Sequence, residues 1–168
     1  RLSSSSTTIT IANTPSFWRV LDSYISLGFD HIISGFDHLL FVFALMFLVS
    51  RLKTLIVTVT LFTIGHSFSL VAAALGWLNI PGPPVEATIA LSIMFVAAEA
   101  LRANRSEITI TQKSPWIVTF GFGLLHGLGF GSALMEIGLP EGDVLAALFA
   151  FNVGVEIGQI TFISLVLV

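Results

Sequence analysis

The sequence contains no cysteine, one tyrosine and very few charges. Without cysteine there are no disulfides and no thiolate ligands, so a metal site must use imidazole, carboxylate or amide groups. Charged residues make up 10% of the chain, against about 25% in ordinary soluble domains. The net charge of −3 comes with no basic cluster, which leaves no footprint for nucleic acid. The start, RLSSSSTTITIANTPSF, has no apolar core behind a basic residue and is not a signal peptide. Neither His-Glu-x-x-His nor a Ser/His/Asp arrangement is present to mark a known hydrolytic centre.

What the chain does have is apolar length. Hydrophobic residues make up 55% of the 168, and mean hydropathy is +0.96. The fold class expected is all-α, a polytopic membrane helix bundle in a single domain. Five segments are long and apolar enough to span: 28–50, 54–78, 85–101, 115–137, and from 144 to beyond 163. SFWRVLDSYISL, before the first, suits a short interfacial helix with Trp18 and Tyr24 as anchors. Residues 1–14 read as a polar linker, the end of a domain lying outside this sequence. Residues 15–168 read as the transmembrane domain, cut short at its C-terminal end.

Arg51 and Lys53 share one short loop, and Arg102, Arg105 and Lys113 share another. In a five-helix zigzag both loops face one side, which is the cytoplasmic side of a bacterial-type inner membrane. The N-terminus then lies outside and the end of this sequence inside. The outer side collects Glu86, Glu141 and Asp143, with Asp22, Asp30 and Glu136 nearby, and an acidic face concentrates cations.

Depth is the strongest signal. At about 1.5 Å per residue, Asp37, His38, His66, His126, Asn152 and Glu156 fall in one central layer from four different helices. An ionisable side chain at the bilayer centre costs about 2.5–3.5 kcal/mol on insertion scales and marks a functional site by default. Imidazoles with carboxylates suit a divalent ion such as nickel, cobalt, zinc or iron(II). The competing reading is a hydrogen-bonded network that joins helices. Asn152, Glu156 and Gln159 share one face of the last helix, with Glu156 as the anionic partner of the histidines.

Gly-Phe-Asp-His occurs twice, at 28–31 and 35–38. In a straight helix the two copies stand about 10.5 Å apart along the axis, too far to share one ion. They read as two stations, an outer one at Asp30 and His31 and a central one at Asp37 and His38. Asp37 is placed to orient a neighbouring histidine, and Asp30 to favour a helix N-terminus. Gly123, Gly127 and Gly131 form a small-residue stripe for close helix packing beside His126. Ser92 reads as a packing hydroxyl, and Glu99 as an interfacial partner of Arg102.

HIISGFDH has the form His-x5-Asp-His at the start of a first span. With HGLGFG and FNVGVEIGQ it resembles the HupE/UreJ family of hydrogenase and urease accessory membrane proteins, over most of residues 28–168. The resemblance implies a nickel permease or related metal transporter, with His31, Asp37 and His38 as the first metal motif. The better-studied branch carries a second motif, Phe-His-Gly-x-Ala/Val-His-Gly-x-Glu. Gly123, His126 and Gly127 match it, while Phe122 and Gly129 replace its first histidine and its glutamate. The chain thus looks like a divergent second branch, and the depth of His66 and Glu156 makes them the candidates to replace the missing ligands.

The functional expectation is a divalent-metal permease whose partners are the ion and the lipid bilayer, within a membrane complex or homo-oligomer. An intramembrane metalloenzyme and a non-catalytic subunit or assembly factor stand as alternatives.

Overall fold

The computed structural model describes residues 16–105, 107–137, 140 and 143–168, without the side chains of 132 and 135–137. The 1–14 linker, Glu141 and the Glu136 side chain lie outside the described residues. The described chain is all helical, with no strand: α1 Phe17–Ser34, α2 Phe36–Leu48, α3 Leu52–Ala74, α4 Gly82–Asn104, α5 Ile110–Lys113, α6 Pro115–Ile137 and α7 Val144–Leu167. Helices α3, α4 and α7 are each long and apolar enough to cross a membrane, and α1 with α2 forms a bent pair that passes the same test together. Helix α6 has the same 23-residue length as α3 and α4. The protein is an integral membrane helix bundle, as its composition requires.

The first span is divided differently from the expectation. SFWRVLDSYISL does not form a separate interfacial helix. It runs on without interruption through His31 to Ser34. The break falls at Gly35, where the axis turns by 70° before α2 begins. A Ser-Gly pair inside an apolar helix is a known kink site. Here Gly35 closes α1, with its N–H donating to Ile32 O at 3.3 Å, and opens α2, with its carbonyl accepting from Leu39 N at 3.1 Å.

Two pairs of helices set the frame. Helices α3 and α6 meet backbone to backbone because Gly65, Gly123 and Gly127 carry no side chain there. A Cβ on Gly123 would strike Phe62 O, and one on Gly127 would strike His66 O and Ser69 Oγ. Helices α1 and α7 meet the same way through Gly28 and Gly154. Small residues permit this approach in membranes, where lipid removes the hydrophobic drive for helices to associate. Gly127→Val should therefore wedge α3 from α6 and lower stability by about 1–3 kcal/mol, the usual cost of overpacking. Thermal unfolding in detergent, followed by circular dichroism, checks this.

Two apolar clusters fill the bundle. One contains Phe41, Leu45, Val59, Phe62 and Val96. The other contains Ile32, Leu70, Leu134, Leu148 and Val155. Along α3, Phe62 belongs to the first, Leu70 to the second, and His66 stands between them. The polar layer is thus closed by hydrocarbon on both sides. At the basic-loop end, α5 folds back under α4. Thr109 and Gln112 form a capping box at its start, and the buried Glu99 carboxylate accepts from Thr111 N at 2.9 Å while lying 4.0 Å from Arg102. Glu99 is therefore a tether for α5 as well as a partner of Arg102.

Candidate metal centre

The bend at Gly35 changes what the Gly-Phe-Asp-His repeat does. In a straight helix His31 and His38 would be separate stations. In the structure their ring centroids are 4.6 Å apart. His66 reaches in from α3, 6.0 Å from both rings. One ring nitrogen from each of His31, His38 and His66 lies within 4.8 Å of the other two, and this is the metal-capable group among the described residues. The expectation of two stations is corrected, because the helix is not continuous through the repeat.

Donors about 2.0–2.1 Å from a common ion lie at most about 4.2 Å from one another. Three donors sharing one ion stand about 3–3.6 Å apart, so the trio, spaced within 4.8 Å, would close by up to about 1–2 Å around it.

His38 is 7% exposed, His66 0% and His126 1%, while His31 is half-buried. Each leaves a buried ring nitrogen with no hydrogen-bond partner: Nε2 of His31, His38 and His66, and Nδ1 of His126. An unpaired buried polar atom costs about 1–3 kcal/mol, so four together describe a site built for something that bonds nitrogen lone pairs.

Two of these lone pairs are set by neighbours. Asn152 Nδ2 donates to Leu148 O at 2.8 Å, so its Oδ1 is the acceptor facing His66 Nδ1 at 3.2 Å. His66 therefore carries its proton on Nδ1 and leaves Nε2 as a lone pair. Ser92 Oγ donates to Ile89 O at 2.6 Å, so it accepts from His126 Nε2 at 2.9 Å, and the His126 lone pair is on Nδ1. Holding the tautomer through the far nitrogen is how proteins orient metal-binding imidazoles. Ser92, expected as a packing hydroxyl, does this work for His126. Asn152 acts on His66 in the same way.

His126 stands beside the trio, its ring 5.1 Å from that of His38. Phe130 and Phe151 pack on His31, with centroids 4.1 and 5.4 Å away. Phe41 and Phe62 pack on His126 at 5.3 and 5.0 Å. This aromatic box keeps the rings dry and in place.

The carboxylates go elsewhere. Asp30 and Asp37 are exposed, and neither hydrogen-bonds an imidazole. Asp37 lies in the first turn of α2, where it favours the helix dipole. Asp30 sits toward the C-terminal end of α1, not at the N-terminus where that role was expected. Glu156 is held by Thr60 and Thr63 of α3. It lies outside the group of converging nitrogens, and Gln159 Oε1 is 3.0 Å from Thr63 Oγ1, beside the same carboxylate.

The family model for HupE / UreJ protein matches residues 5–168. The chain belongs to the HupE/UreJ family. No curated protein and no solved structure matches it. Membership links this HupE/UreJ protein to metal handling in the membrane, and the histidine trio is the part of its structure suited to a metal.

Proposed function

We propose that this HupE/UreJ protein is a divalent-metal permease of the nickel type, with the ion as its cargo. The observation that carries the reading is the convergence of His31, His38 and His66, whose ring nitrogens come within 4.8 Å inside the bundle. Neutral imidazoles favour borderline metals such as nickel, cobalt and zinc over calcium or magnesium. Three neutral donors give a site that binds an ion without permanently cancelling its charge, which suits passage better than storage. The acidic residues of the outer side supply local cation enrichment. The basic loops mark the cytoplasmic side, so transport runs inward.

His38 and His66 serve as ligands, and His31, on the other side of the Gly35 bend, completes the trio. His126 is an accessory donor next to His38. Cobalt, zinc and iron(II) share the same donor preferences, and nickel is favoured by the family link.

The test is uptake of radioactive nickel by proteoliposomes holding the purified protein. His38→Ala is expected to reduce uptake to the protein-free level. His126→Ala is expected to reduce it less, because His126 lies outside the converging trio. Native uptake no higher than the protein-free level would refute the permease reading, and undiminished uptake in His38→Ala would refute the histidine trio as its site.

A further inference from the structure

One turn beyond the histidines lies a second polar cluster, made of oxygen instead of nitrogen. Thr60 Oγ1 donates to Glu156 Oε1 at 2.5 Å. Thr63 Oγ1 lies 2.6 Å from Glu156 Oε2, 3.0 Å from Gln159 Oε1 and 3.2 Å from Val59 O. A threonine hydroxyl has one proton to donate, yet three acceptor oxygens surround this one. Either way round, the Gln159 amide leaves one polar atom without a partner: Nε2 as placed, or Oε1 if the amide is turned so that Nε2 donates to Thr63 Oγ1.

Gln159 is 0% exposed, and its Nε2 is buried with no partner. The described residues place no basic side chain in an ion pair with Glu156. A carboxylate in a spanning helix without a counter-charge is expensive. Carboxylate, amide and hydroxyl groups together have the composition of a site for a hard cation.

We propose that Thr60, Thr63, Glu156 and Gln159 form a second, oxygen-lined cation station, which receives the divalent ion from the histidines. Hydroxyl, carboxylate and amide oxygens are hard ligands, and hard cations commonly retain water. Glu156 would face the ion, and Gln159 would meet it through Oε1 or meet a retained water through Nε2. The single carboxylate supplies the negative charge that the imidazole trio lacks.

The helices fix where this station stands. Thr63 precedes His66 by three residues in α3, and Glu156 follows Asn152 by four in α7. At about 1.5 Å per residue both place the oxygens about 4.5–6 Å from the histidine layer. In both helices the step is toward the Arg51 and Lys53 end. An ion moving inward would leave nitrogen donors that select it for oxygen donors that hold it less tightly. This order rests on the permease reading, whereas the oxygen site itself does not.

The experiment uses Mn²⁺ as a hard probe and Ni²⁺ as a borderline one, because Mn²⁺ is the weakest of the series at nitrogen sites. Binding to the full chain in detergent is followed by the loss of the free Mn²⁺ electron paramagnetic resonance signal, and Ni²⁺ by elemental analysis. The native chain is expected to bind Mn²⁺, and His66→Ala to keep it. Glu156→Gln preserves the side-chain shape and is expected to weaken Mn²⁺ by at least about tenfold, the size of effect a metal-supporting group commonly has. Thr63→Val should weaken it as well, and Ni²⁺ binding should persist in both variants.

Absence of Mn²⁺ binding in the native chain, or Mn²⁺ binding indifferent to Glu156→Gln, overturns the proposal. So does loss of Ni²⁺ in Glu156→Gln, which would assign the carboxylate to the histidine site. If the native chain binds Mn²⁺ through Glu156 but takes no Ni²⁺ at the histidines, the oxygen station stands and the permease reading falls.

Discussion

His66→Ala is expected to remove nickel binding, lowering affinity by at least about 100-fold, the upper end of what even outer contacts of a metal site achieve. The loss follows from geometry. His66 is fully buried, its Nδ1 faces Asn152, and its free Nε2 belongs to the converging trio. Asn152→Leu isolates the orienting part of that arrangement. It keeps the side-chain bulk and all the ring nitrogens, but deletes the acceptor that holds the His66 proton on Nδ1. A loss of about 10–100-fold is expected, as for other orienting partners of metal-bound histidine. Elemental analysis after loading with a nickel, cobalt and zinc mixture reads both variants. If Asn152→Leu binds nickel as the native chain does, the tautomer argument is wrong and Asn152 serves only helix packing.

Much of the fold was legible because membrane helices announce themselves by length and hydropathy. Depth counting brought His66 and His126 to one level, since each lies within a regular helix whose axis carries its residue number into a height. It misplaced His31 relative to His38, because the count from 28 to 38 runs across Gly35. Counting 1.5 Å per residue across Gly35 assumes a helix that does not exist there, so the sequence spacing overstated the separation. The signal was present in Ser34-Gly35, but an isolated glycine in an apolar run is usually tolerated, and pattern alone does not separate a kink from a packing contact.

Glu156 shows a second limit. Depth put it in the histidine layer and gave its neighbours along the chain, but not its azimuth toward α3. Thr60 and Thr63 claim it, and Thr60 went unnoticed because hydroxyls in apolar helices ordinarily bond back to their own backbone. Thr58 does so here, donating to Thr54 O at 2.7 Å. The stripe around Gly123 and Gly127 was read correctly as packing. Its consequence for the site needed the structure, because the close crossing of α3 and α6 is what sets His66 and His126 at one level.

The bend yields the sharpest test of how the site is made. Gly35 has φ −83° and ψ 92°, a conformation open to any residue, so backbone strain is not what requires glycine. Space is. A Cβ there would lie 2.6 Å from His31 O and 3.0 Å from His38 Nδ1. The first contact is with backbone and cannot yield cheaply, and the second would push the His38 imidazole off its position. Alanine also favours continuous helix over glycine by about 1 kcal/mol, which acts to straighten the joint. A fully straight joint would return the two histidines to about 10.5 Å along the axis.

Gly35→Ala is therefore expected to lower nickel affinity by at least about tenfold, a cost in the range of altered support around a metal, although it removes no donor atom. Gly35→Leu should cost more. Helical content and elution volume in detergent should stay native, since α1 and α7 remain joined through Gly28 and Gly154. Native nickel affinity in Gly35→Ala would mean that the two histidines do not need the glycine bend in order to act together.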